Sequence, residues 1–596
     1  MTKEIFREIS ARVTAFIYSN NKFLVLKLPT GAGKTTTTLK TLNQFKDLKW
    51  IYTAPFHHIV HENLEMSVFD RYDYIHLKSR AKLCVMKSWR RLAEKHIDIS
   101  PICEHKCPKK DDGCPYYEAK EELREHPKNW AGVHHHLTDF LRNFVHLKSG
   151  NGITMGQEFD FLIIDENPIG VFFINKKTDA TKLLKLKGII KKIKLEDPNT
   201  KPFVNLLDFL ILNFSDDEPL DHKYVYKLLN VINFTDLYDA YQVQLLEAIV
   251  DKTIDVIDVP PDYIGWFGKI QHYSTPDKIK DMIVKKEASG YTHKHYYLMC
   301  FVNDALQNLP FKIIALDGTA NIDIWETLVG VKASVFDRPY VNKDMYQLTN
   351  GEYPLSSWLE PKTFDIRSTG KRLCKMIDLI SSKKKNKVLI ICNSSLVPHI
   401  RKETDANNLI YGYYYFLRSR NDFYKVADTV IIASQSNIPE FQIDCFAKLS
   451  DWDKEVWRKV FTDEEMIQGV GRIRQGITVV KETKRVREKV EVFIFPAPRH
   501  SHVEGKVIEL FPDAELYSYN ELYSILEEGG VEDLEKTTIQ LAGGQTYHEL
   551  WKEWQKETKL KWSSTKFKLK LLNPLLERGV LYQKGETRRK IYKLDG

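Results

Sequence analysis

Two segments in the N-terminal third contain the residue types that bind and hydrolyse a nucleotide. Residues 29–35 read PTGAGKT, and they follow the apolar run FLVLKL, which has the pattern of a buried strand. Glycines let backbone amides approach phosphate oxygens, a lysine reaches the terminal phosphates, and a threonine hydroxyl coordinates Mg²⁺. We therefore predict that ATP and Mg²⁺ are bound by Pro29, Thr30, Gly31, Ala32, Gly33, Lys34, Thr35 and Thr36.

The second segment is the run FDFLIIDE, which ends in the adjacent acids Asp165 and Glu166. A strand that ends in two carboxylates suits a site in which one acid holds Mg²⁺ through water and the other acts on the attacking water. We predict the first role, as part of the cofactor site, for Asp165. We predict the second, catalytic role for Glu166.

A third segment with charge chemistry lies much later, at residues 468–475, which read QGVGRIRQ. Paired arginines on a turn or a short helix suit the stabilisation of charge on a transferring γ-phosphoryl group. Together with the two earlier segments, this one predicts that Gln468, Arg472 and Arg474 complete the catalytic set.

Four of the eight cysteines lie between the first two segments, with the spacing C-x18-C-x3-C-x6-C. Clustered thiolates bind zinc or an iron–sulfur cluster, and the spacing does not choose between these. In a zinc site His96 or His105 could replace one cysteine. We predict metal ligation by Cys84, Cys103, Cys107 and Cys114.

The cysteine segment is also basic and aromatic, which suits a single nucleic-acid strand because cations follow phosphates and rings stack on bases. The predicted strand contacts there are Arg80, Arg90 and Arg91. For the nearby Tyr116 and Tyr117, packing around the metal is at least as good an explanation as stacking.

The composition indicates a globular protein of several domains. The chain has 596 residues, 43% of them hydrophobic and 28% charged, whereas single cores stop growing near ~250–300 residues. No apolar run reaches the ~18 residues of a membrane span, and the first residues lack a signal-peptide core. We therefore expect a cytoplasmic protein that does not bind a membrane, in a compartment where thiols stay reduced.

Nearly all of the net charge of +8 lies in the C-terminal tenth of the chain, where residues 541–596 hold 13 Lys or Arg and 6 Asp or Glu. Two helical patterns and a hairpin with a basic tip follow one another there, an order similar to a winged-helix domain, which reads duplex DNA. Winged helices also serve as protein-contact modules. The predicted nucleic-acid contacts are Lys566, Lys568, Lys584, Arg588 and Arg589.

The order of these segments resembles superfamily 2 nucleic-acid motors, and the cysteine quartet resembles the XPD/DinG family within it. Weaker matches support the resemblance: WIYTAP, LDGTA at 316–320, KVLIICNS at 387–394, and RSRNDF. The resemblance implies nucleic-acid contacts by Thr53, in the first of these segments, and by Asn421, in the last. The resemblance implies a 4Fe–4S cluster rather than zinc, located where a duplex parts. It also implies 5′→3′ movement on single-stranded DNA, with RNA the less favoured substrate.

The expected fold class is α/β, with two RecA-like parallel-sheet motor domains, a four-cysteine metal-cluster insertion, a helical arch insertion and a C-terminal winged-helix-like domain. The first motor domain is predicted in three parts, with two insertions between them. The predicted boundaries are 1–78, 131–170 and 309–340 for the first motor domain, 79–130 for the cysteine insertion, 171–308 for the helical arch, 341–528 for the second motor domain, 529–544 for a linker and 545–596 for the winged-helix-like domain.

Two departures from the family pattern leave two functions open. The acidic box continues with Asn167 and Pro168, not Ala and His, and Gln475 occupies the position of the family's second arginine. The expected function is an ATP-dependent DNA helicase or translocase. The alternative is a DNA-binding regulatory ATPase that recognises a site through its tail and does not unwind.

Overall fold

The computed structural model describes most of the chain. The described residues are 2–593 except 29–31, 65–73, 77, 79–82, 95–106, 108, 110–112, 119–128, 135–136, 138–158, 215–217, 288–293, 302–305, 308, 310, 338–343, 350, 352, 361–362, 415–422, 424–425, 437, 439, 472–489, 497–499, 504–505, 510–513, 528–530, 559–563, 578–580 and 585–589.

The described residues group into two compact units. The first holds those of 1–340 and 437–471, and the second holds those of 341–416, 422–436 and 472–596. The segment 437–471, which lies inside the predicted second motor domain, therefore groups with the first unit.

The first unit is built on a seven-stranded parallel sheet. The strands of this unit are β1 (Phe23–Lys27), β2 (Trp50–Ala54), β3 (Tyr74–His76), β4 (Asn129–Val133), β5 (Phe161–Asp165), β6 (Phe173–Thr178), β7 (Ile283–Glu287), β8 (Lys294–Phe301), β9 (Lys312–Leu316) and β10 (Ser334–Asp337). The parallel sheet has the order β10-β1-β9-β5-β2-β4-β3. Its central strands are short continuous apolar runs, the pattern expected where helices cover both faces of a sheet.

Helices cover this sheet and form most of the insertion that follows β5. They include Thr2–Tyr18, Lys34–Asn43, His57–Leu64, Lys87–Glu94, Ile169–Phe172, Ala180–Lys192, Thr200–Leu212, His222–Asn230, Phe234–Val250, Tyr263–Tyr273, Ile279–Met282, Ile322–Val329, Glu440–Ser450, Lys454–Arg458 and Glu464–Gly471, with a 3₁₀ turn at Val256–Asp258 and a π-helical turn at Lys459–Asp463.

The insertion over 171–308, expected as a helical arch, is mostly helical but also contains strands. It contains an antiparallel sheet of the order β6-β8-β7. An aromatic cluster joins this sheet to the segment 437–471, because the ring of Phe173 lies 3.8 Å from that of Phe446 and 5.6 Å from that of Trp457, measured between centroids. This contact explains why that later segment groups with the first unit.

The second unit has a six-stranded parallel sheet of its own. The strands of this unit are β11 (Asp344–Leu348), β12 (Lys387–Cys392), β13 (Leu409–Tyr413), β14 (Ala427–Ile432), β15 (Glu491–Ile494), β16 (His500–Val503), β17 (Lys506–Glu509), β18 (Glu515–Tyr517), β19 (Gly543–Thr546), β20 (Leu581–Lys584) and β21 (Lys590–Lys593). The parallel sheet has the order β13-β12-β14-β15-β11-β18. The prediction of two parallel-sheet domains is therefore confirmed.

The helices of the second unit flank this sheet and build the tail. They include Leu355–Trp358, Ser368–Ser382, Val397–Glu403, Tyr519–Glu527, Val531–Leu541, Tyr547–Thr558, Ser564–Phe567 and Asn573–Glu577, with a 3₁₀ turn at Ser394–Leu396 and a π-helical turn at Lys568–Leu572.

The predicted linker 529–544 is wrong, because most of it is regular structure. The helix Val531–Leu541 places Leu534 in the core, where the side chain is 1% exposed. Strand β19 then pairs with β21, which completes a three-stranded sheet of the order β19-β21-β20. The glycines at each end of this stretch suggested a flexible connection, whereas Leu534 and Ala542 between them are buried.

Among the described residues, none of the helices combines the length and the apolar character that a membrane span requires.

Candidate active site

The carboxyl ends of three adjacent strands, β1, β9 and β5, bring the predicted nucleotide residues to one edge of the first sheet. Strand β9 pairs with both of its neighbours, so the loops that leave β1 and β5 lie on either side of it. In parallel sheets this edge is where ligands bind, because every strand ends there. The predicted phosphate and Mg²⁺ residues therefore converge.

Gly33 begins the helix that carries Lys34 and Thr35. Its φ of 78° lies in the left-handed region, which glycine adopts without steric cost. A Cβ at this position would lie 2.2 Å from Cε1 of Phe6. Both observations explain a glycine here. Ala32 is buried and Thr36 is half-buried, whereas Pro29, Thr30 and Gly31 lie outside the described residues.

The ammonium of Lys34 is held at the sheet edge. It is 8% exposed, and its Nζ donates a hydrogen bond of 2.6 Å to the carbonyl oxygen of Leu28, at the end of β1. The loop after β9 approaches the same place, because a Cβ on Gly318 would lie 2.4 Å from that oxygen and 3.5 Å from Nζ of Lys34. The lysine is thus positioned by both loops.

Asp165, at the end of β5, is the centre of the acidic half of the site. Its Oδ2 accepts a hydrogen bond of 3.0 Å from Oγ1 of Thr35 and one of 2.7 Å from the hydroxyl of Tyr52. Burial raises the pKa of Asp165 to about 6, and the neighbouring Glu166 raises it as well. Tyr52, Lys34 and Thr35 oppose that rise, since each stabilises the ionised carboxylate.

The backbone turns sharply after this strand. Glu166 has a φ of 66°, which costs a non-glycine residue roughly 1 kcal/mol, and its amide donates to the carbonyl oxygen of Leu316 at 3.2 Å. The turn points the chain away from the sheet directly after the two acids. Strained backbone of this kind is common at functional positions.

Asn167 and Pro168, the residues that depart from the family pattern, start the next helix. Oδ1 of Asn167 accepts a hydrogen bond of 3.0 Å from the amide of Ile169, and the side chain is 3% exposed. Pro168 is the N-cap of the helix Ile169–Phe172. In this structure the pair has a local structural role.

Asp317 fixes the loop that reaches Lys34. Its Oδ1 accepts hydrogen bonds of 3.0 Å from both the amide and the hydroxyl of Thr319, and its Oδ2 accepts one of 3.0 Å from Nε1 of Trp325. The carboxylate is fully buried. It therefore ties the loop after β9 to the helix Ile322–Val329.

Gln468 lies in the helix Glu464–Gly471 and is 3% exposed. The helix belongs to the first unit and directly follows the π-helical turn. The predicted catalytic residues Arg472 and Arg474 lie outside the described residues, so their roles stay predictions.

Three of the four predicted metal ligands are described, and Cys103 is not. Cys84 and Cys114 are buried, and Cys107 is half-buried. Burial raises the pKa of the Cys84 thiol, and the proximity of Cys107 and Cys114 raises it further. Within the described part of the chain, no three His, Cys, Asp or Glu side chains form a group that could hold a metal ion.

The predicted nucleic-acid contacts of the first unit have different environments. Thr53 is fully buried in β2, and its hydroxyl lies 3.5 Å from the carbonyl oxygen of Ile163; its strand contact stays a prediction. Arg91 is exposed. The guanidinium of the exposed Arg90 donates from Nε and Nη2 to the carbonyl oxygen of Cys84, at 3.1 and 2.8 Å.

The predicted contacts of the tail are described only in part. Lys568 is exposed, and its Nζ lies 5.5 Å from the ring centroid of Tyr547. Lys566 lies in the helix Ser564–Phe567, and Lys584 ends β20. Outside the described residues are the predicted contacts Arg80, Asn421, Arg588 and Arg589.

Tyr52 was not predicted, because nothing marks it in the sequence beyond its place in an apolar strand. It takes part in the site because β2 pairs with β5, the strand that ends in Asp165.

No protein-family model matches the chain, and no curated protein matches it. Among solved structures it is similar to "XPD_Helicase", with 14% identity over 83% of this chain and 95% of the other and a TM-score of 0.48. It is similar to S. tokodaii Xpd4, with 13% identity over 83% and 95% and a TM-score of 0.47. It is also similar to the DEAH/RHA helicase HrpB of Escherichia coli, with 10% identity over 98% and 51% and a TM-score of 0.33. The functional proposal therefore rests on this chain's own residues.

Proposed function

We propose that the protein is an ATP-driven DNA translocase or helicase. The observation that carries the proposal is the convergence of Lys34, Thr35 and Asp165 at one edge of a parallel sheet, with Glu166 beside them. A buried ammonium, a hydroxyl and two carboxylates are the groups that bind Mg²⁺ and the phosphates of a nucleotide.

The roles of these residues follow from their positions. Bound Mg²⁺ supplies positive charge to the β- and γ-phosphate oxygens. Lys34 leaves the carbonyl oxygen of Leu28 to bind the same oxygens, and Thr35 with Asp165 holds the metal's ligand shell. Glu166 accepts a proton from the attacking water, because its carboxylate directly follows Asp165 at the same strand end.

Gln468, Arg472 and Arg474 complete the proposed site. The arginines offset the negative charge that develops on the γ-phosphoryl group. The resemblance to the XPD/DinG family adds 5′→3′ movement along single-stranded DNA to the proposal.

The four cysteines are the proposed ligands of a 4Fe–4S cluster, with zinc as the alternative. The donor chemistry fits either metal, because clustered thiolates bind both zinc and iron–sulfur clusters. The cluster would fix the segment that carries the exposed Arg91. The test is the purified protein: iron, sulfide and absorption near ~400 nm support the cluster, whereas a colourless zinc protein contradicts it. A Cys84→Ser variant should lose the metal.

The tail is proposed to hold duplex DNA. Its order of helix, strand, two helices and hairpin, with β21 between β19 and β20, is that of a winged helix and supports this assignment. The exposed Lys568 begins the π-helical turn Lys568–Leu572, in the helical segment 564–577 that would enter the major groove. A Lys568→Ala variant should bind duplex DNA more weakly and with a smaller salt dependence, whereas Lys556→Ala, on the preceding helix, is the matched control.

The central experiment measures ATP hydrolysis and strand separation in one preparation of the full chain. We expect single-stranded DNA to stimulate hydrolysis and a 5′-tailed duplex to be unwound. A Glu166→Gln variant should lose both activities. Hydrolysis that DNA stimulates, without unwinding of either a 5′- or a 3′-tailed duplex, would overturn the helicase and leave the second candidate.

That second candidate is a DNA-binding regulatory ATPase, and the Asn167–Pro168 pair favours it. The family's histidine at the position of Pro168 is absent, and Asn167 uses its Oδ1 to start a helix. Hydrolysis would then switch DNA binding by the tail. Site-specific duplex binding that depends on the bound nucleotide would support this function.

A further inference from the structure

Tyr52 contacts the proposed Mg²⁺ site from inside the sheet. It is fully buried in β2, directly beside β5, and its register partner is Ile163. Asp165 lies two residues further along β5, on the same face as Ile163 because side chains alternate along a strand. Such a diagonal neighbour is within reach of an aromatic side chain, and the Tyr52 hydroxyl donates to Oδ2 of Asp165 at 2.7 Å.

Two donors from different elements meet on this one oxygen. Thr35 donates to Oδ2 from the helix after the phosphate loop, at 3.0 Å, and Tyr52 donates from the sheet. A carboxylate held by one bond can rotate about its Cβ–Cγ bond, whereas two bonds from separate directions fix its plane. The Thr35 hydroxyl has a further proposed role as a metal ligand, whereas the Tyr52 hydroxyl donates to Asp165 from inside the sheet.

We infer that Tyr52 is a positioning residue for metal-dependent ATP hydrolysis, an inference that rests on the proposed function. It holds the Asp165 carboxylate in the orientation that receives the metal's water ligands, before Mg²⁺ and nucleotide arrive. Without it, binding of Mg²⁺–ATP must also order the carboxylate. The requirement for Mg²⁺ then rises, and less of the bound nucleotide is correctly placed.

The test compares Tyr52→Phe with Tyr296→Phe. Tyr296 is the matched control because it is also fully buried and its hydroxyl donates at 2.7 Å to the carbonyl oxygen of Leu210, in the insertion. Each substitution removes one buried hydrogen bond and no carbon atom. Both variants should therefore lose a similar amount of thermal stability, read as melting temperature.

Only Tyr52→Phe should change the metal dependence of hydrolysis. We expect the Mg²⁺ concentration at half-maximal rate to rise about tenfold, as for a lost hydrogen bond to a charged group. At saturating Mg²⁺, kcat should fall several-fold, roughly 3- to 10-fold, with KM for ATP changed less than about twofold, the split expected when placement rather than binding is lost.

The outcomes separate the inference from the proposed function. If the wild type does not hydrolyse ATP, the proposed function and this inference fail together. If it does, and Tyr52→Phe has the same Mg²⁺ dependence as the wild type, the inference alone is overturned. If Tyr52→Phe and Tyr296→Phe change the Mg²⁺ dependence of hydrolysis equally, Tyr52 has a structural role only, and the inference is likewise overturned.

Discussion

The two parallel sheets end in chemically different edges. In the first unit the carboxyl edge holds Lys34, Asp165, Glu166 and Asp317 within hydrogen-bonded loops. In the second unit the described residues directly after the strands, at 349, 393–395, 414, 433–436, 495–496 and 518, include no charged side chain. Within the described part of the chain, the same architecture thus presents charge at one edge and neutral groups at the other.

The neutral edge is nonetheless ordered by hydrogen bonds. The amide of Asn393 donates to Oγ of Ser434 at 3.1 Å, and the hydroxyl of Tyr414 donates to the carbonyl oxygen of Ser434. Ser434, Gln435 and Ser436 are at most 1% exposed. Among the described residues, the difference between the two edges therefore lies in charge rather than in order.

The largest expected effect comes from exchanging one charged group at the first edge for a neutral one of the same shape. Glu166→Gln should lower kcat for ATP by about 10²-fold or more, the usual loss on removing a general base. Ser434→Ala, at the neutral edge, should lower it by less than roughly fivefold, since it removes a hydrogen bond but no charge. Steady-state ATPase kinetics measure both. Equal losses of kcat in the two variants would contradict the chemical difference between the two edges.

The next effect concerns the space around Lys34. Gly318→Ala would place a methyl group 2.4 Å from the carbonyl oxygen of Leu28, so that strand end or the lysine must move. We expect a loss of about 1–3 kcal/mol in the free energy of unfolding, as for other overpacked sites, and weaker ATP binding.

The control for this prediction is Gly188→Ala, in the insertion helix Ala180–Lys192. A Cβ there meets no atom within 4 Å, so alanine should stabilise the helix by roughly 0.5–1 kcal/mol. Urea unfolding gives the stabilities, and fluorescent-nucleotide titration gives the affinity. A Gly318→Ala variant that is as stable as the wild type and binds ATP normally would contradict the tight approach of the two loops.

The third effect is a pH dependence that only the charged edge should have. Because the folded-state pKa of Asp165 is raised to about 6, the folded chain binds this proton more tightly than the unfolded chain does. The group's contribution to stability is therefore fully present below the unfolded pKa of ~3.9 and is lost as the pH rises through 6. The nucleotide-free protein should lose about 1–3 kcal/mol from this source.

Asp165→Asn tests the assignment, because asparagine cannot titrate. The variant should be more stable than the wild type near neutral pH, and the difference between them should disappear toward pH 4. Chemical unfolding at a series of pH values measures this. In the wild type, ATP hydrolysis should decline below about pH 6, where Asp165 takes up its proton. A stability difference that is independent of pH would refute the shifted pKa.

The charged edge was more predictable from sequence than its supporting contacts were. Lys34, Thr35, Asp165 and Glu166 lie in contiguous motifs that define their own strand, turn and helix, so local pattern was enough to place them. Tyr52 and Trp325 act through strand pairing and helix packing, which no local pattern encodes. Thr53 shows how little a motif match says about environment: β2 is buried along its whole length, and the Thr53 side chain is buried with it.

The insertion and the predicted linker show the same limit of prediction from local sequence, now for whole strands. The helices Thr200–Leu212 and Phe234–Val250 were predicted because their apolar residues follow the helical period. The sheet β6-β8-β7 was not, because its first strand, FINKKT, has few apolar residues and gains its pairing from β8, more than 100 residues later. Pairing with the later strand β21 likewise orders β19, which begins inside the predicted linker.

The smallest expected effect concerns Asn167, a neutral residue that follows the two acids at the charged edge. Asn167→Ala removes the acceptor for the amide of Ile169, a buried hydrogen bond of 3.0 Å, and should lower the unfolding free energy by about 1 kcal/mol. Because the Asn167 side chain starts a helix and carries no charge, ATP hydrolysis should change by less than roughly threefold. A loss approaching that of Glu166→Gln would instead make Asn167 part of the chemistry, and the division between charged catalytic groups and neutral structural ones would then fail within a single edge.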